Sequence, residues 1–137
     1  MFGYALYAAR NIFIDRTDTA RAIDSINRGL DRLPEGMSVM VFPEGTRSTD
    51  GRIRPFKKGG FFPAVLSGVP VLPVTINGSR RILPKGSLAV KPGKMQVVIG
   101  DPIDTAEYTV DTIDELADRT RRTIMNNFSP DYGESAR

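Results

Sequence analysis

The 137-residue sequence contains no histidine, no cysteine and no tryptophan. Without cysteine there is no disulfide framework and no thiol nucleophile. Without histidine the chain lacks the commonest metal ligand and the commonest general base at neutral pH, so a serine–histidine pair is excluded. Carboxylates alone would have to hold a zinc ion, a donor set that zinc seldom uses. No apolar run approaches the ~18 residues of a membrane-spanning helix. The longest, Val69 to Ile76, is interrupted by Pro70 and Pro73. The N-terminal MFGYALYAAR has no basic region ahead of its apolar part and does not read as a signal peptide. Neither a Walker phosphate loop nor a dinucleotide glycine fingerprint is present. These absences point to a cytoplasmic protein, one able to touch a membrane surface.

What is present fits one domain with an ordinary apolar content of 40%. The formal net charge is only +3, but it is unevenly placed. From Arg47 to Lys94 there are ten Lys/Arg and one acid, Asp50, a local net of +9, whereas the rest of the chain nets −6. A positive field flanked by acidic segments attracts phosphate, anionic lipid or nucleic acid. The plainer alternative is a solvated basic surface.

Periodicity outlines an α/β chain. A short helix is expected over residues 2–10, followed by a buried strand at Ile12-Phe13-Ile14. Thr17-Asp18-Thr19 supplies N-cap residue types. Ala20, Ile23, Ile26, Leu30 and Leu33 then recur at steps of three and four, the stripe of an amphipathic helix stopped by Pro34-Glu35-Gly36. Ser38 to Phe42 reads as a second buried strand, and a strand–helix–strand unit predicts parallel pairing. Pro43 to Gly60 is a Gly- and Lys/Arg-rich loop, and residues 61–68 form a short helix with Gly68 as C-cap candidate. A proline-interrupted strand is expected over Val71 to Ile76, with two more around Pro92-Gly93, the better at Gln96 to Ile99. Thr112-Ile113-Asp114-Glu115 fits a capping box, and Ile113, Leu116, Ala117, Thr120, Ile124 and Phe128 line one face of a final helix. The single domain is expected over residues 1–128, with a fraying tail at 129–137.

Four segments carry chemical interest. Phe42-Pro43-Glu44-Gly45-Thr46-Arg47-Ser48 follows a predicted strand, where ligands collect in open α/β sheets. Gly45 lets the backbone present N–H groups to an anion. Thr46 and Ser48 add hydroxyl donors, and Arg47 adds a planar fork that can grip a phosphate with two bonds. Glu44 is suited to pinning Arg47 or another basic group. The alternative is a polar turn at a sheet edge. Asp15-Arg16 ends the first strand beside this place, although an ordinary surface ion pair is the plainer reading. In Arg54 to Phe61, basic residues alternate with aromatics and glycines, which suits phosphate, an anionic bilayer or single-stranded nucleic acid; Phe61 and Phe62 read as core. Val69-Pro70-Val71-Leu72-Pro73-Val74 is either the wall of an apolar pocket or a bent core strand.

Taken in order, IFIDR, FPEGTRS, FKKGGF and VPVLPV resemble the second to fourth sequence blocks of the glycerolipid acyltransferase family, and SRRILPKG at residues 79–86 resembles its bacterial 1-acyl-sn-glycerol-3-phosphate acyltransferases. The resemblance covers residues 1 to about 105. It implies a partial glycerol-3-phosphate-acyltransferase-like fold, a mixed, largely parallel sheet flanked by helices. It implies acyl transfer from acyl-CoA or acyl carrier protein to lysophosphatidate, giving phosphatidate, at the cytoplasmic face of the membrane as a peripheral protein. No cofactor, metal or nucleic acid is implied, and acyl carrier protein is a candidate partner. Arg16, Glu44, Gly45, Thr46 and Arg47 would bind the acceptor's phosphate, Lys58 would help electrostatically, and Val71 and Pro73 would lie on the acyl-donor side.

The family's first block, Asn-His followed four residues later by Asp, has no counterpart in a chain without histidine. In the family that histidine takes the proton of the acceptor hydroxyl. No residue here is an obvious replacement, since Asp15 and Glu44 are weak bases unless buried. Three readings remain, in this order: a truncated record with an internal methionine as Met1, a gene remnant, or a short protein that binds lipid phosphate without turning it over. A missing strand would leave an open sheet edge, so the isolated chain is expected to be marginally stable or prone to aggregate. Thermal unfolding of the purified chain checks this: a cooperative melt at high temperature from a soluble monomer contradicts it.

Overall fold

The computed structural model describes residues 19–133 apart from 33 and 35. The helix expected over 2–10, the strand at 12–14 and Arg16 lie outside those residues. Helix α1 is Thr19–Leu30. A 3-10 turn, Lys58–Gly60, leads into helix α2, Phe62–Ser67, which Gly68 ends in the left-handed conformation as its sequence position suggested. Strand β1 is Val74–Asn77, the one-turn helix α3 is Ser79–Ile82, strand β2 is Gln96–Ile99 and helix α4 is Ile113–Asn126.

The core forms where apolar faces of three helical elements meet. Ile26 of α1, Phe61 and Phe62 at the start of α2, and Ile113, Leu116 and Ala117 of α4 are buried together with Ile103. The stripe on α4 thus faces the core as its periodicity required, and Thr120 is buried on the same face with its hydroxyl donating to the Leu116 carbonyl at 2.8 Å. The capping box is not formed. Thr112 makes no side-chain cap on α4, because its hydroxyl instead accepts the Thr109 N–H at 2.9 Å and closes the preceding turn.

The class is α/β, but the sheet among the described residues is a single antiparallel pair. Val74 faces Ile99 and Asn77 faces Gln96. Beyond it, Val71 and Ile103 exchange both backbone bonds, Val71 N–H to Ile103 O at 2.9 Å and Ile103 N–H to Val71 O at 2.8 Å. Three steps along one strand therefore match four along the other, a bulge whose extra residue lies between Ile99 and Ile103, opposite Pro73. The parallel pairing expected between 12–14 and 38–42 is not seen. One partner lies outside the described residues, and 38–42 has no strand pairing among them. The strand expected ahead of Pro92-Gly93 is likewise absent. There the Lys91 N–H donates to Ile82 O at 2.8 Å and closes residues 82–91 into a loop.

Asn77 joins sheet, helix and tail. It is fully buried, and its amide donates to the Gln96 side chain and to the Asn127 carbonyl, both at 3.1 Å. Its carbonyl oxygen accepts the Ser129 N–H at 3.0 Å. The tail expected to fray from 129 is therefore tied down over 129–133: beyond Ser129, a turn brings the Tyr132 N–H to the Ser129 carbonyl. The next residue, Gly78, has φ +83, and a Cβ there would lie 2.4 Å from Lys94 O, so only glycine lets β1 turn into α3 against that carbonyl. Replacing the buried Asn77 by Ala removes three side-chain hydrogen bonds, to Gln96, the Asn127 carbonyl and the Ser129 N–H. Urea denaturation is expected to show a loss of about 2–4 kcal/mol, and limited proteolysis should cut earliest after residue 128.

Candidate functional site

The loop from Pro43 to Lys57 is folded back on itself. The Gly45 N–H donates to Phe42 O at 3.0 Å, and the Lys57 N–H to Pro43 O at 2.8 Å. Gly45 has φ +71, a left-handed turn that any side chain would strain. A Cβ at Gly45 would also meet the Lys57 side chain, with Nζ and Cε both at 3.2 Å. Lys57 therefore lies along the Glu44-Gly45-Thr46-Arg47 turn. Glu44 does not pin Arg47; its Oε2 accepts the Arg54 N–H at 3.1 Å and ties the two ends of the loop. Arg47 is exposed, and no described residue takes its guanidinium. At the tip, Ser48 Oγ accepts the Gly51 N–H and donates to Asp50 Oδ1, both at 2.8 Å, while that same oxygen accepts the Arg52 N–H at 3.1 Å.

Cations from elsewhere in the fold hold the loop by its oxygens. Arg121 of α4 donates from Nε to Arg54 O at 3.1 Å and from Nη2 to Ile53 O at 3.2 Å. Arg80 of α3 donates to Thr49 O at 2.8 Å and covers Gly51, where an added Cβ would lie 3.1 Å from Nη1. Lys85 Nζ donates to Thr46 Oγ1 at 3.3 Å. The loop thus gathers the positive charge of Arg47, Lys57 and Lys85 around one turn, with no carboxylate bonded to any of the three among the described residues. A cluster of cations of this kind has the chemistry to attract an anion.

The remaining candidates fall elsewhere. Lys58 is turned away toward Asp114 of α4, Nζ to Oδ2 at 3.7 Å, an exposed pair. Its neighbour Lys57 is the lysine at the turn. Val71 packs against the core, and Pro73 is buried with its carbonyl accepting the Gly100 N–H at 2.9 Å. Neither shares a hydrogen bond with residues 44–54 among the described residues. No group of three or more Asp or Glu able to hold a metal occurs among the described residues. The residues that sequence reading passed over are Lys57, Lys85 and Arg121. The first two lie in the basic stretch and in quoted motifs, whereas nothing local marks Arg121, one of three arginines in a helix with as many acids.

Backbone and Ser48 hydrogen bonds hold the Asp50 carboxyl below the usual carboxylate range. A lowered folded-state value means that the turn's bonds are complete above the unfolded value and are lost as pH falls through the lower one. Order at residues 48–52 should therefore persist at neutral pH and decay only in acid, which amide exchange across a pH series reads out. Arg121→Ala should loosen the whole 44–54 loop and raise its amide exchange at least tenfold, and Arg121→Lys should restore part of that protection.

Residues 1–77 match the family model described as Acyltransferase. A 1-acyl-sn-glycerol-3-phosphate acyltransferase of Limnanthes douglasii is 39% identical over 93% of this chain and 46% of its own length. The human alpha enzyme of the same name is 35% identical over 92% of this chain and 45% of its own. The crystal structure of the 1-acyl-sn-glycerophosphate acyltransferase PlsC from Thermotoga maritima superposes with a TM-score of 0.73 at 32% identity, over 92% of this chain and 49% of that one. The chain therefore spans about half the length, or less, of these relatives.

Proposed function

The chain belongs to the acyltransferase family, an enzyme family whose relatives here are 1-acyl-sn-glycerol-3-phosphate acyltransferases, and from that premise we propose that it carries the acceptor-binding half of lysophosphatidate acylation. The observation that carries this reading is the turn at Glu44–Arg47, with an open guanidinium, a glycine in the left-handed conformation and two lysines converging on it. Arg47 grips two phosphate oxygens of 1-acyl-sn-glycerol 3-phosphate, Thr46 donates its hydroxyl, and Lys57 and Lys85 supply charge from either side. Arg16 joins them by resemblance. Glu44 binds no phosphate; it sets the loop's shape through the Arg54 N–H.

In the complete reaction the acceptor hydroxyl attacks the thioester of acyl-CoA or acyl carrier protein, its proton passes to a base, and phosphatidate and a thiol leave. This chain holds no histidine to take that proton. The base must then come from residues other than these, and the 137-residue chain by itself binds the acceptor without acylating it. Val71 and Pro73 remain assigned to the acyl-donor side, and Lys58 to a supporting charge. The protein works peripherally at the cytoplasmic face of a membrane, needs no metal or cofactor, and does not bind nucleic acid.

Isothermal titration with glycerol 3-phosphate and an assay with radiolabelled acyl-CoA test the two parts separately. Binding is expected, with Arg47→Ala weakening it about 10–100-fold and Arg47→Lys less. No labelled phosphatidate is expected from the unmodified chain. Equal affinity of the Arg47→Ala variant would refute the acceptor site, and phosphatidate formed by the chain itself would refute its lack of a base.

A further inference from the structure

Residues 82–91 form a closed loop whose tip has no role in the site. The Lys91 N–H meets Ile82 O at 2.8 Å and shuts its base. Inside, the Ser87 N–H donates to Pro84 O at 3.2 Å, and Ser87 Oγ both donates to Ala89 O at 3.3 Å and accepts the Ala89 N–H at 3.1 Å. Ser87 thus brackets Leu88 and fixes it outward. Leu88 is 100% exposed, Val90 70% and Leu83 38%. Here the loop's hydrogen bonds hold three apolar side chains close together at the surface.

The charge around this tip names what it meets. Lys85, Lys91 and Lys94 lie within or just after the loop, and no Asp or Glu occurs anywhere from Gly51 to Gly100. Apolar side chains at the tip of a loop that carries one lysine on its arm and two at and after its base complement the surface of an anionic bilayer, where leucine enters the acyl boundary and ammonium groups meet lipid phosphates. The same loop reaches the anion site through Lys85 and Thr46. We propose that the 82–91 loop is a membrane-insertion tip, with Leu88 at its point, that seats the Glu44–Arg47 turn against an anionic lipid surface. This deepens the membrane-surface part of the function proposed above and rests on it for its purpose, but its test needs neither phosphate binding nor acyl transfer.

The chain has no tryptophan, so Leu88→Trp places a single reporter at the tip. With vesicles of phosphatidylcholine and phosphatidylglycerol its emission should shift to the blue and be quenched by brominated acyl chains, and vesicles of phosphatidylcholine alone should have much less effect. Leu88→Asp should weaken co-sedimentation with anionic vesicles about thirtyfold, and Lys91→Gln or Lys94→Gln about fivefold each. All three sites are exposed, so the variants should keep the parent's unfolding midpoint. Emission unchanged by vesicles that nonetheless bind the protein would overturn the proposal, as would no vesicle binding at all. A blue-shifted emission in buffer alone would also overturn it, since a second copy or another segment would then cover the tip. Glycerol 3-phosphate titration without vesicles separates these failures from a failure of the anion site.

Discussion

Between Arg47 and Lys94 ten cations share one carboxylate, Asp50, and that carboxylate is spent on a backbone turn. Lys58 pairs with Asp114 of α4, and the fold meets several other cations at the loop with oxygens that carry no full charge. Arg80 takes the Thr49 carbonyl, Arg121 takes those of Ile53 and Arg54, and Lys85 takes the Thr46 hydroxyl. Each bond orders the loop, and none cancels its field. The result is a shaped turn with uncompensated charge, the arrangement that an anionic ligand completes.

The core serves this arrangement by placing its donors. Leu116, Ala117 and Ile113 seat α4 against Phe61, Phe62 and Ile26, and Arg121 on the next turn of α4 then reaches the loop. Asn77 fixes the far end of the same helix to the sheet through the Asn127 carbonyl, and Gly78 turns the chain at once into α3, which carries Arg80. The loop between Pro43 and Lys57 has no regular structure of its own. It takes its shape from two helices and the 82–91 loop, so substitutions far from the turn can alter what the turn binds.

Local patterns were readable where one element decides the outcome. The α4 face, the Gly68 cap, the β2 strand and the burial of Phe61 and Phe62 follow from periodicity or from a single residue's backbone preference. The turn at Gly45 was readable too, because a glycine there permits the left-handed conformation. What escaped depends on partners distant in sequence. Val39 to Phe42 has the composition of a strand, but pairing needs a second strand that composition cannot supply. Thr112 has the type of a cap, yet Thr109 claims its hydroxyl. Lys57 and Lys58 are indistinguishable as neighbours, and only the 3-10 turn that begins at Lys58 sends one toward Gly45 and the other toward Asp114. Arg121 lies 67 residues from the carbonyl it holds, beyond the reach of any local motif.

Uncompensated charge at the Glu44–Arg47 turn is most directly tested by following the backbone amide resonances of the isotopically labelled chain during addition of glycerol 3-phosphate. Saturable shifts confined to residues 44–57, with smaller ones at Lys85, are predicted, diminishing as salt is raised. Shifts scattered over the whole basic stretch without saturation, or confined to other residues, would contradict a built anion site and leave only a diffuse positive surface.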